Sequence, residues 1–432
     1  VPGVGLDHNY HPDCGTPLHM EYGGGIDTVV GCASVATPGA LAACDAAADR
    51  FGKAAWAAIL APSIRAARVG FPLPSACRYY LQYSGKDVFG RSEDGFNALH
   101  SADGALLDVG DRVRVPHLAD SLETIAREGA SAFYQGDIGK TIADHVRDGG
   151  GTLTRQDLGD YTPIERRALT LDVADWQIAL NPPPAVGGAM LAAMLIGFGD
   201  KHTDGWSAEA VSRLVQVQQA ALACRRDRLD LADDVAAEAS HLLDLARAGH
   251  LLNPHRSAAT VHTSAVDSEG LACSVTSSAG YGSGEMIEGT GFWLNNSLGE
   301  LDLHTRGLAH LTPGTRLASN MAPTLARRSS DGALLAIGSP GASRITTAIA
   351  QVLINFSQTG MDLEQAVSHP RLHVELAPRP PTIAFEPGLP VVAMQNMLPR
   401  PFSAPSMYFG GVQAVVWSPK EGLSGVADAR RG

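Results

Sequence analysis

The sequence predicts an α+β fold, and two observations support this prediction. Before about residue 253 the apolar residues recur mainly with helical spacing, whereas later segments are mostly short strands. The chain has 432 residues, of which 45% are hydrophobic, which is enough for one large domain or two intimate ones. We therefore expect a folded chain whose helices and strands come largely from different parts of the sequence.

The first part contains seven segments with a helical pattern and one pair of strands. The strand pair covers residues 169–180, and Pro182-Pro183-Pro184 with a Gly187-Gly188 turn separates it from the next helix. Gly and Pro end other segments, because both disfavour continuation of a helix. The predicted helices cover residues 40–51, 53–68, 118–128, 138–148, the stretch from the glycine turn to 196, 207–230 and 235–248.

The junction of the two parts carries a predicted buried hairpin with a hydroxyl-rich start. From Thr260 the residues alternate between two faces through Val266, the next four residues supply a turn, and the return strand runs to Thr276. Thr260 would open the first strand. His262 lies on the same face, and there we favour a structural role over acid–base work.

The second part is mostly strand, and one of its turns is suited to bind an anion. Ser339-Pro340-Gly341-Ala342-Ser343 joins a buried strand to a helix that Ser343 is placed to cap. Such a turn presents unpaired backbone N–H groups at the positive end of a helix, which is a site for an oxyanion. The predicted strands cover 291–296, 334–338, 371–376, 382–386 and 411–417, and helices cover 344–356 and 363–368, the last capped by Asp362.

Charge and composition argue against several classes of partner. The formal charge is −12 and the pI about 5.6, which disfavours nucleic acid because phosphate binding needs a concentrated basic face. The longest apolar run, residues 189–198, is about half a membrane span, so we expect no membrane partner. Six cysteines without CxxC spacing favour buried free thiols in a reducing compartment. We therefore expect a cytoplasmic protein; a secreted or periplasmic one with its signal peptide removed is the alternative.

No metal site is predicted from the residues. Asp7, His8 and His11 lack a fourth ligand at usable spacing, so a loop is the preferred interpretation. The Gly23-Gly24-Gly25 run has neither the GKS or GKT ending of a phosphate loop nor the spacing of a dinucleotide fingerprint, and is interpreted as a turn.

Several short motifs follow one another in an order that spans nearly the whole chain. They are Thr37-Pro38-Gly39, Phe133-Tyr134-Gln135-Gly136, Gly149-Gly150 with Asp157-Leu158 and Tyr161, Pro182-Pro183-Pro184 to Gly187-Gly188, Arg225-Arg226-Asp227-Arg228, Thr260-Val261-His262, Gly282-Ser283-Gly284, Gly289-Thr290-Gly291, Leu294-Asn295-Asn296, Met321-Ala322-Pro323 and Gly338 to Arg344. In this order they resemble the gamma-glutamyltransferase family of N-terminal nucleophile hydrolases. The resemblance implies a four-layer αββα sandwich, with two mostly antiparallel sheets between helical layers and Thr260 at the start of a central strand.

The resemblance implies an enzyme that cuts its own chain between Ala259 and Thr260. A helix-rich, large-subunit-like part (1–259) and a strand-rich, small-subunit-like part (260–432) would then associate as one intimate domain. Thr260 would be the nucleophile, and its new α-amino group, which titrates near neutrality, would be the base. Gly341 and Ala342 would form the oxyanion hole, and Ser278 matches a second hydroxyl residue that contacts the nucleophile. No metal or organic cofactor is implied.

The same resemblance implies a small amino-acid-like substrate and assigns residues to it. Ser319 and Asn320 match the pair that holds the substrate α-carboxylate. Glu300 matches an aspartate that binds the α-ammonium group, and Ser297 matches a glutamine or similar polar residue. Asn296 is assigned either to the substrate or to pinning a loop.

Departures from the family pattern fall mainly on substrate contacts. The family's asparagine after the second hydroxyl position is Gly280 here, and a serine pair is replaced by Ala185-Val186. The second glycine of the oxyanion turn is Ala342. The arginine that ordinarily pairs with the glutamyl carboxylate has no clear counterpart. The chemistry is therefore predicted more firmly than the substrate.

Three functions stay open at this point. The first is a gamma-glutamyltransferase-like acyl transferase or hydrolase. The second is a relative in specialised metabolism that acts on a non-glutamyl substrate, including hydrolysis of a carbon–carbon bond as in alkylproline antibiotic pathways. The third is an uncleaved, inactive binding or structural protein, which the two fragments of an autocleaved chain would exclude.

Overall fold

A computed structural model describes residues 15–22, 25–199, 205–248, 260–307, 310–377, 380–392, 394 and 396–431. The Asp7–His11 loop, Gly23, Gly24 and Ala259 on one side of the predicted cut lie outside these residues. Within the described residues, no helix combines the length and apolarity that a membrane span requires.

The nine predicted helices all occur, whereas α3, α4, α6 and α8 below were not predicted. Bounds agree fully for residues 40–51, 118–128, 235–248 and 363–368, where the apolar spacing ends at a stop signal. As predicted, Asp362 caps its helix, since its side chain accepts a hydrogen bond from the backbone N–H of Gln365. The helices of the described residues are α1 (Ala40–Phe51), α2 (Trp56–Val69), α3 (Ser75–Ser84), α4 (Glu93–Leu99), α5 (Leu118–Glu128), α6 (Ser131–Tyr134), α7 (Asp137–Asp148), α8 (Arg155–Gly159), α9 (Val186–Phe198), α10 (Ala208–Asp227), α11 (Val235–Ala248), α12 (Arg344–Gln358) and α13 (Leu363–Ser368).

The strands show that the fold is α+β, as predicted, although several strands were missed. The predicted strand over 291–296 is only two residues long, and the strands below that were not predicted are β1, β2, β3, β4, β9, β11, β15 and β17. The strands of the described residues are β1 (Thr16–Met20), β2 (Ile26–Val30), β3 (Phe71–Pro72), β4 (Arg112–Val113), β5 (Leu169–Val173), β6 (Trp176–Leu180), β7 (Val261–Val266), β8 (Ala272–Ser277), β9 (Met286–Ile287), β10 (Phe292–Trp293), β11 (Thr324–Arg328), β12 (Leu334–Gly338), β13 (Leu372–Glu375), β14 (Thr382–Phe385), β15 (Leu398–Pro401), β16 (Gln413–Ser418) and β17 (Gly422–Ala427).

The chain divides into two compact units, each built from two stretches of sequence. Unit 1 contains Val1–Glu165 and Ala279–Leu317, and unit 2 contains Arg166–Ser278 and Ala318–Gly432. The division that the sequence predicts, at residues 259 and 260, concerns a cut in the chain and stays a prediction.

Unit 2 is organised around a six-stranded antiparallel sheet with the strand order β17-β16-β12-β11-β6-β5. Helix α9 is apolar on all sides and packs against α10, α11 and α12. Eleven of its residues are buried, which explains why its sequence shows no amphipathic period. The longest apolar run of the chain is therefore a core helix of unit 2.

The β7–β8 hairpin of unit 2 packs against β12 and β16 as a separate two-stranded sheet. The prediction that Thr260 opens a central strand is therefore wrong for the described residues. The physical reason lies in the inward side chains, because Ser264 donates to the backbone oxygen of Gln413 and Ser274 donates to that of Ile337. These bonds hold the hairpin across the sheet, and its outer face is open, with Val261 68% exposed. The four-layer arrangement stays a prediction.

Unit 1 consists of helices α1 to α8 with three short antiparallel strand pairs, β1–β2, β3–β4 and β9–β10. Two sequence motifs meet at Tyr134, whose hydroxyl donates to the backbone oxygen of Pro38 and accepts from the N–H of Ala42. The Tyr134 motif therefore holds the chain entering α1.

No disulfide joins the five described cysteines, and the predicted burial holds for only two of them. Cys32 and Cys224 are buried, whereas Cys44, Cys77 and Cys273 are exposed. Cys273 is exposed because it lies on the outer face of the hairpin, where alternate residues of β8 face solvent.

Candidate active site

The start of the hairpin is the first part of the candidate site. Antiparallel pairing sets Val261 opposite Ser277, so the same register continued by one residue brings Thr260 opposite Ser278. Residues opposite each other in such a ladder have Cβ atoms about 5 Å apart and point to the same face. Thr260 is buried and Ser278 is half-buried. The register thus brings together the two hydroxyl residues that the sequence analysis singled out.

The turn of the hairpin determines this register. The Asp267 carboxylate accepts hydrogen bonds from the backbone N–H groups of Glu269 and Leu271, at 2.9 and 2.8 Å. Gly270 has a φ of 85°, a left-handed conformation that glycine adopts without strain. A one-residue slip would turn every side chain of the hairpin to the other face. The polar turn therefore keeps Thr260 on the buried face.

The His262 side chain lies between the hairpin and Gly338 of β12, and its ring is uncharged. Its Nδ1 lies 2.8 Å from Thr276 Oγ1, and its Nε2 lies 2.8 Å from Ser264 Oγ. Burial lowers its pKa to about 4, so the ring is neutral at neutral pH. A Cβ added at Gly338 would lie 2.2 Å from the imidazole Cε1. These contacts support the structural role predicted for His262 and give Gly338 a spacing role that the sequence analysis missed.

The turn after Gly338 has an unusual backbone. Gly341 has a φ of 134°, and a Cβ there would lie 2.7 Å from the Cα of Gly410. Ala342 is buried and has a φ of 66°, a left-handed conformation that costs a residue with a side chain roughly 1–2 kcal/mol. The turn lies at the N-terminus of α12, where the helix dipole favours an anion.

Ser343 does not cap α12, contrary to the prediction. A capping residue needs an extended backbone, but Ser343 has a φ of −60° and a ψ of −22°, which are already helical, and its side chain makes no cap hydrogen bond. Its Oγ is buried without a hydrogen-bond partner among the described residues. Arg344 holds structure, since its Nε donates to the backbone oxygen of Tyr408 and its guanidinium lies 4.7 Å from that ring.

Ser319 and Asn320 lie buried beside the start of α9. The backbone oxygen of Ser319 accepts hydrogen bonds from the N–H groups of Val186 and Gly187, at 2.8 and 3.2 Å. A Cβ at Gly187 would lie 2.2 Å from the backbone oxygen of Asn320. The glycine that follows the triple proline is therefore required for the close approach of this polar pair to the helix.

Glu300, in unit 1, is a buried acid. It is 6% exposed, and burial together with the charge of Asp302 raises its pKa to about 8. No cation among the described residues of unit 1 offsets this cost. The Glu300 carboxyl is therefore mostly protonated at neutral pH, and a positively charged ligand beside it would favour the ionised form.

Gly280 makes room for Glu300. It has a φ of 63°, and a Cβ there would lie 2.1 Å from Asn296 Oδ1 and 2.9 Å from Glu300 Oε1. A side chain at this position would therefore collide with both Asn296 and Glu300.

Asn296 is fully buried and all of its side-chain groups are bonded. Its amide nitrogen donates to Thr28 Oγ1 at 2.9 Å and to the backbone oxygen of Val29 at 3.1 Å. Its oxygen accepts from the N–H of Tyr281 at 2.7 Å. This geometry supports loop pinning, the second of the two roles considered for Asn296. A substrate contact for Asn296 or for the buried Ser297 stays a prediction.

The predicted site residues divide between the two units, and each set is described by itself. Unit 2 holds Thr260, Ser278, Ser319, Asn320, Gly341 and Ala342, and unit 1 holds Asn296, Ser297 and Glu300.

Two of the solved structures that match this chain show its fold. The cephalosporin acylase from Bacillus halodurans matches with a TM-score of 0.73 at 20% identity, over 96% of this chain and 85% of the acylase. LmbA2991HD matches with a TM-score of 0.70 at 19% identity, over 98% of this chain and 90% of its own. At these identities the likeness is one of fold alone.

Sequence comparison identifies the family. A family model for gamma-glutamyltranspeptidase matches residues 21–432. The chain therefore belongs to the gamma-glutamyltranspeptidase family, a family of transferases and hydrolases, and the resemblance seen in the motifs is confirmed.

The curated relatives that match this chain include glutathione hydrolases and an acylase. The glutathione hydrolase proenzymes of Pseudomonas aeruginosa and Escherichia coli are 30% and 29% identical, over 84% and 79% of this chain. The acylase ACY 1 proenzyme of Pseudomonas sp. strain V22 is 28% identical over 93% of this chain. These alignments cover 70%, 64% and 75% of the relatives' own lengths.

Proposed function

We propose that this chain is an acyl transferase or hydrolase of the gamma-glutamyltransferase type, with Thr260 as its nucleophile. The hairpin register, which brings Thr260 opposite Ser278, carries this proposal. A hydroxyl beside the nucleophile can hold it and share its proton. The contact between His262 and Gly338 adds support, because Thr260 and the Gly341 turn begin within three residues of that contact.

The nucleophile would be generated by a cut between Ala259 and Thr260. The cut frees an α-amino group, which titrates near neutrality and takes the proton from the Thr260 hydroxyl as the oxygen attacks an acyl carbonyl. Backbone N–H groups of Gly341 and Ala342 would stabilise the oxyanion, and the protonated amine would return the proton to the leaving group. Water or an amine then releases the acyl group. The relatives named as proenzymes accord with such a maturation.

The substrate would be a small amino-acid-like molecule. Ser319 and Asn320 would hold its carboxylate, and Glu300 would bind its ammonium group. The charge requirement of the buried Glu300 supports this assignment, because an ammonium ligand would offset the cost of the ionised carboxylate.

A second candidate keeps the nucleophile and changes the substrate to a non-glutamyl compound. The Gly280 loop favours it, because the loop excludes the family's asparagine at this position. The acylase names among the relatives and the LmbA structure are consistent with it. Specialised metabolism, including hydrolysis of a carbon–carbon bond in antibiotic biosynthesis, is the context we propose for this candidate.

Three finer statements belong to the same proposal. They are the four-layer αββα arrangement, the association of the two autocleavage fragments, and a cytoplasmic rather than a secreted or periplasmic location. The association of the fragments depends on the maturation step, so the cut is the first thing to test.

Intact mass of the purified chain tests the maturation. We expect two species that correspond to residues 1–259 and 260–432. One stable full-length species would overturn the proposal and favour an inactive binding protein. Release of gamma-glutamate from a chromogenic anilide, compared with release from non-glutamyl amides, then separates the two enzymatic candidates.

Substitution of the nucleophile tests its role. Thr260→Ala should abolish the cut and lower turnover by roughly 10⁴-fold or more, as removal of a catalytic nucleophile does. Thr260→Ser is the matched control, because it keeps the hydroxyl and should retain cleavage and part of the turnover. Unchanged turnover in Thr260→Ala would show that Thr260 is not the nucleophile.

A further inference from the structure

Unit 1 contains a cluster of three side chains that the proposed reaction does not use. Cys32 follows β2 in a single 3₁₀ turn, His145 lies in the last turn of α7, and Glu285 precedes β9. The Cys32 Sγ, an imidazole nitrogen and a carboxylate oxygen all lie within 4.8 Å of one another. His145 Nε2 and Glu285 Oε2 are 3.0 Å apart.

We propose that Cys32, His145 and Glu285 bind a divalent transition metal, with zinc as the preferred ion. Thiolate, imidazole and carboxylate are the three ligand types that zinc takes in proteins, at about 2.0–2.3 Å from the ion. Tetrahedral ligands at such distances are separated by roughly 3.5 Å, so small shifts of these side chains suffice to bind an ion. The sulfur ligand disfavours calcium and magnesium, which require oxygen.

The charges at the cluster suit a dication. The thiolate and the carboxylate together carry two negative charges, which would neutralise the ion. The thiolate is the form that binds a metal, so binding of the ion would release the thiol proton. Loss of either anionic ligand should therefore weaken binding strongly.

The backbone around Cys32 is arranged so that the end of α7 can reach the thiol. A Cβ at Gly149 would lie 2.3 Å from the Cys32 Sγ, and one at Gly151 would lie 2.4 Å from the Cys32 backbone oxygen. The glycine run that ends α7 therefore permits the contact between His145 and Cys32. This gives the Gly149-Gly150-Gly151 stop signal a role beyond ending a helix.

The cluster is open on one side. Cys32 is buried, but the side chains of His145 and Glu285 are 37% and 19% exposed. An ion can reach the three ligands from the solvent side, and water can take the fourth position. A mixed three-ligand set with one open position is the composition of a labile or catalytic zinc site rather than of a closed structural one.

Cobalt binding to the chelator-treated full-length protein tests the proposal. We expect one Co²⁺ per chain, with a thiolate-to-cobalt absorption band that added Zn²⁺ abolishes. Cys32→Ser should remove the band and lower the affinity at least about 100-fold. Cys224→Ser is the matched control, because Cys224 is the other buried cysteine among the described residues and lies in unit 2. This variant should bind cobalt as the wild type does.

A second variant and a stability measurement test the site even if Cys32→Ser does not fold. Glu285→Gln preserves the shape of the side chain and should weaken binding even if Cys32→Ser folds poorly. Zn²⁺ should raise the Tm of the wild type and of Cys224→Ser but not of Glu285→Gln. Absence of the thiolate band, or equal metal content in Cys32→Ser and Cys224→Ser, would overturn the site and leave the three residues as a hydrogen-bonded cluster.

Discussion

The start of the hairpin in unit 2 and the Glu300 loop in unit 1 differ in how their buried polar groups are stabilised. In the hairpin, both ring nitrogens of His262 are hydrogen-bonded and the ring is neutral. In the loop, the Glu300 carboxylate is buried without a cation from its own unit. A hydrogen-bonded, neutral region can position a reactive group, whereas a buried acid without a cation of its own unit can bind a charged ligand. We therefore expect substitutions in the first region to act on stability and reaction, and those in the second to act on recognition.

The largest expected effect that separates the two regions concerns Glu300. Glu300→Gln should lower kcat/KM by roughly 10²- to 10³-fold or more for substrates with an ammonium group, because breaking a buried ion pair costs about 3–5 kcal/mol. Substrates that lack the amino group should be nearly unaffected. Asp302→Asn is the matched control, since it removes a nearby carboxylate. Equal losses on both kinds of substrate would contradict a recognition role.

The pH dependence of stability should show the raised pKa of the Glu300 carboxyl directly. The folded-state pKa is raised from 4.5 to about 8, so the folded chain keeps a proton that the unfolded chain loses. The free energy of unfolding therefore falls as the pH rises between these values, by up to a few kcal/mol. Urea denaturation of the wild type and of Glu300→Gln across this range measures the effect. A difference between them that does not change with pH would refute it.

The hairpin region should respond to steric change rather than to charge. Gly338→Ala should lower the free energy of unfolding by about 1–3 kcal/mol, because its Cβ would collide with the His262 ring. Gly425→Ala is the matched control in the same sheet, where the nearest atom to an added Cβ is 3.5 Å away. Thermal denaturation compares the two. Equal Tm values would mean that the hairpin moves away from β12 at little cost.

The smallest expected effect is at Ala342. Ala342→Gly relieves the left-handed strain of about 1 kcal/mol but adds freedom to the unfolded chain, so a net change within about 1 kcal/mol is expected. Chemical denaturation with turnover measured in parallel checks this. A destabilisation well above that size would show that the Ala342 methyl group contributes packing that the strain conceals.

Local signals explain why much of the fold could be predicted. Helix α11 was predicted to the residue, and the Asp267 turn forms through its own side chain. Strand β11 was missed because its sequence, which includes Arg327 and Arg328, is not apolar. It is formed by pairing with β6, about 150 residues away along the chain.

The candidate site was predictable where the motifs are contiguous and not where distant residues meet. The Gly341–Ala342 turn and the register of Thr260 follow from neighbouring residues. The Cys32, His145 and Glu285 cluster joins residues 113 and 140 positions apart, which no spacing rule detects. Likewise, the role of Gly338 depends on a ring from another strand, and that of Gly280 depends on a loop folding back onto it.

The two units are interleaved along the chain, so each unit contains residues from both fragments of a cut protein. Unit 1 takes residues 279–317 from after the proposed cut, and unit 2 takes residues 166–259 from before it. Strand β6, before the cut, pairs with β11, after it, and the Gly31 N–H donates to the backbone oxygen of Ser283. The fragments could separate only if both units unfolded. Dilution or gel filtration would therefore show a single particle, and the cut would be visible only after denaturation.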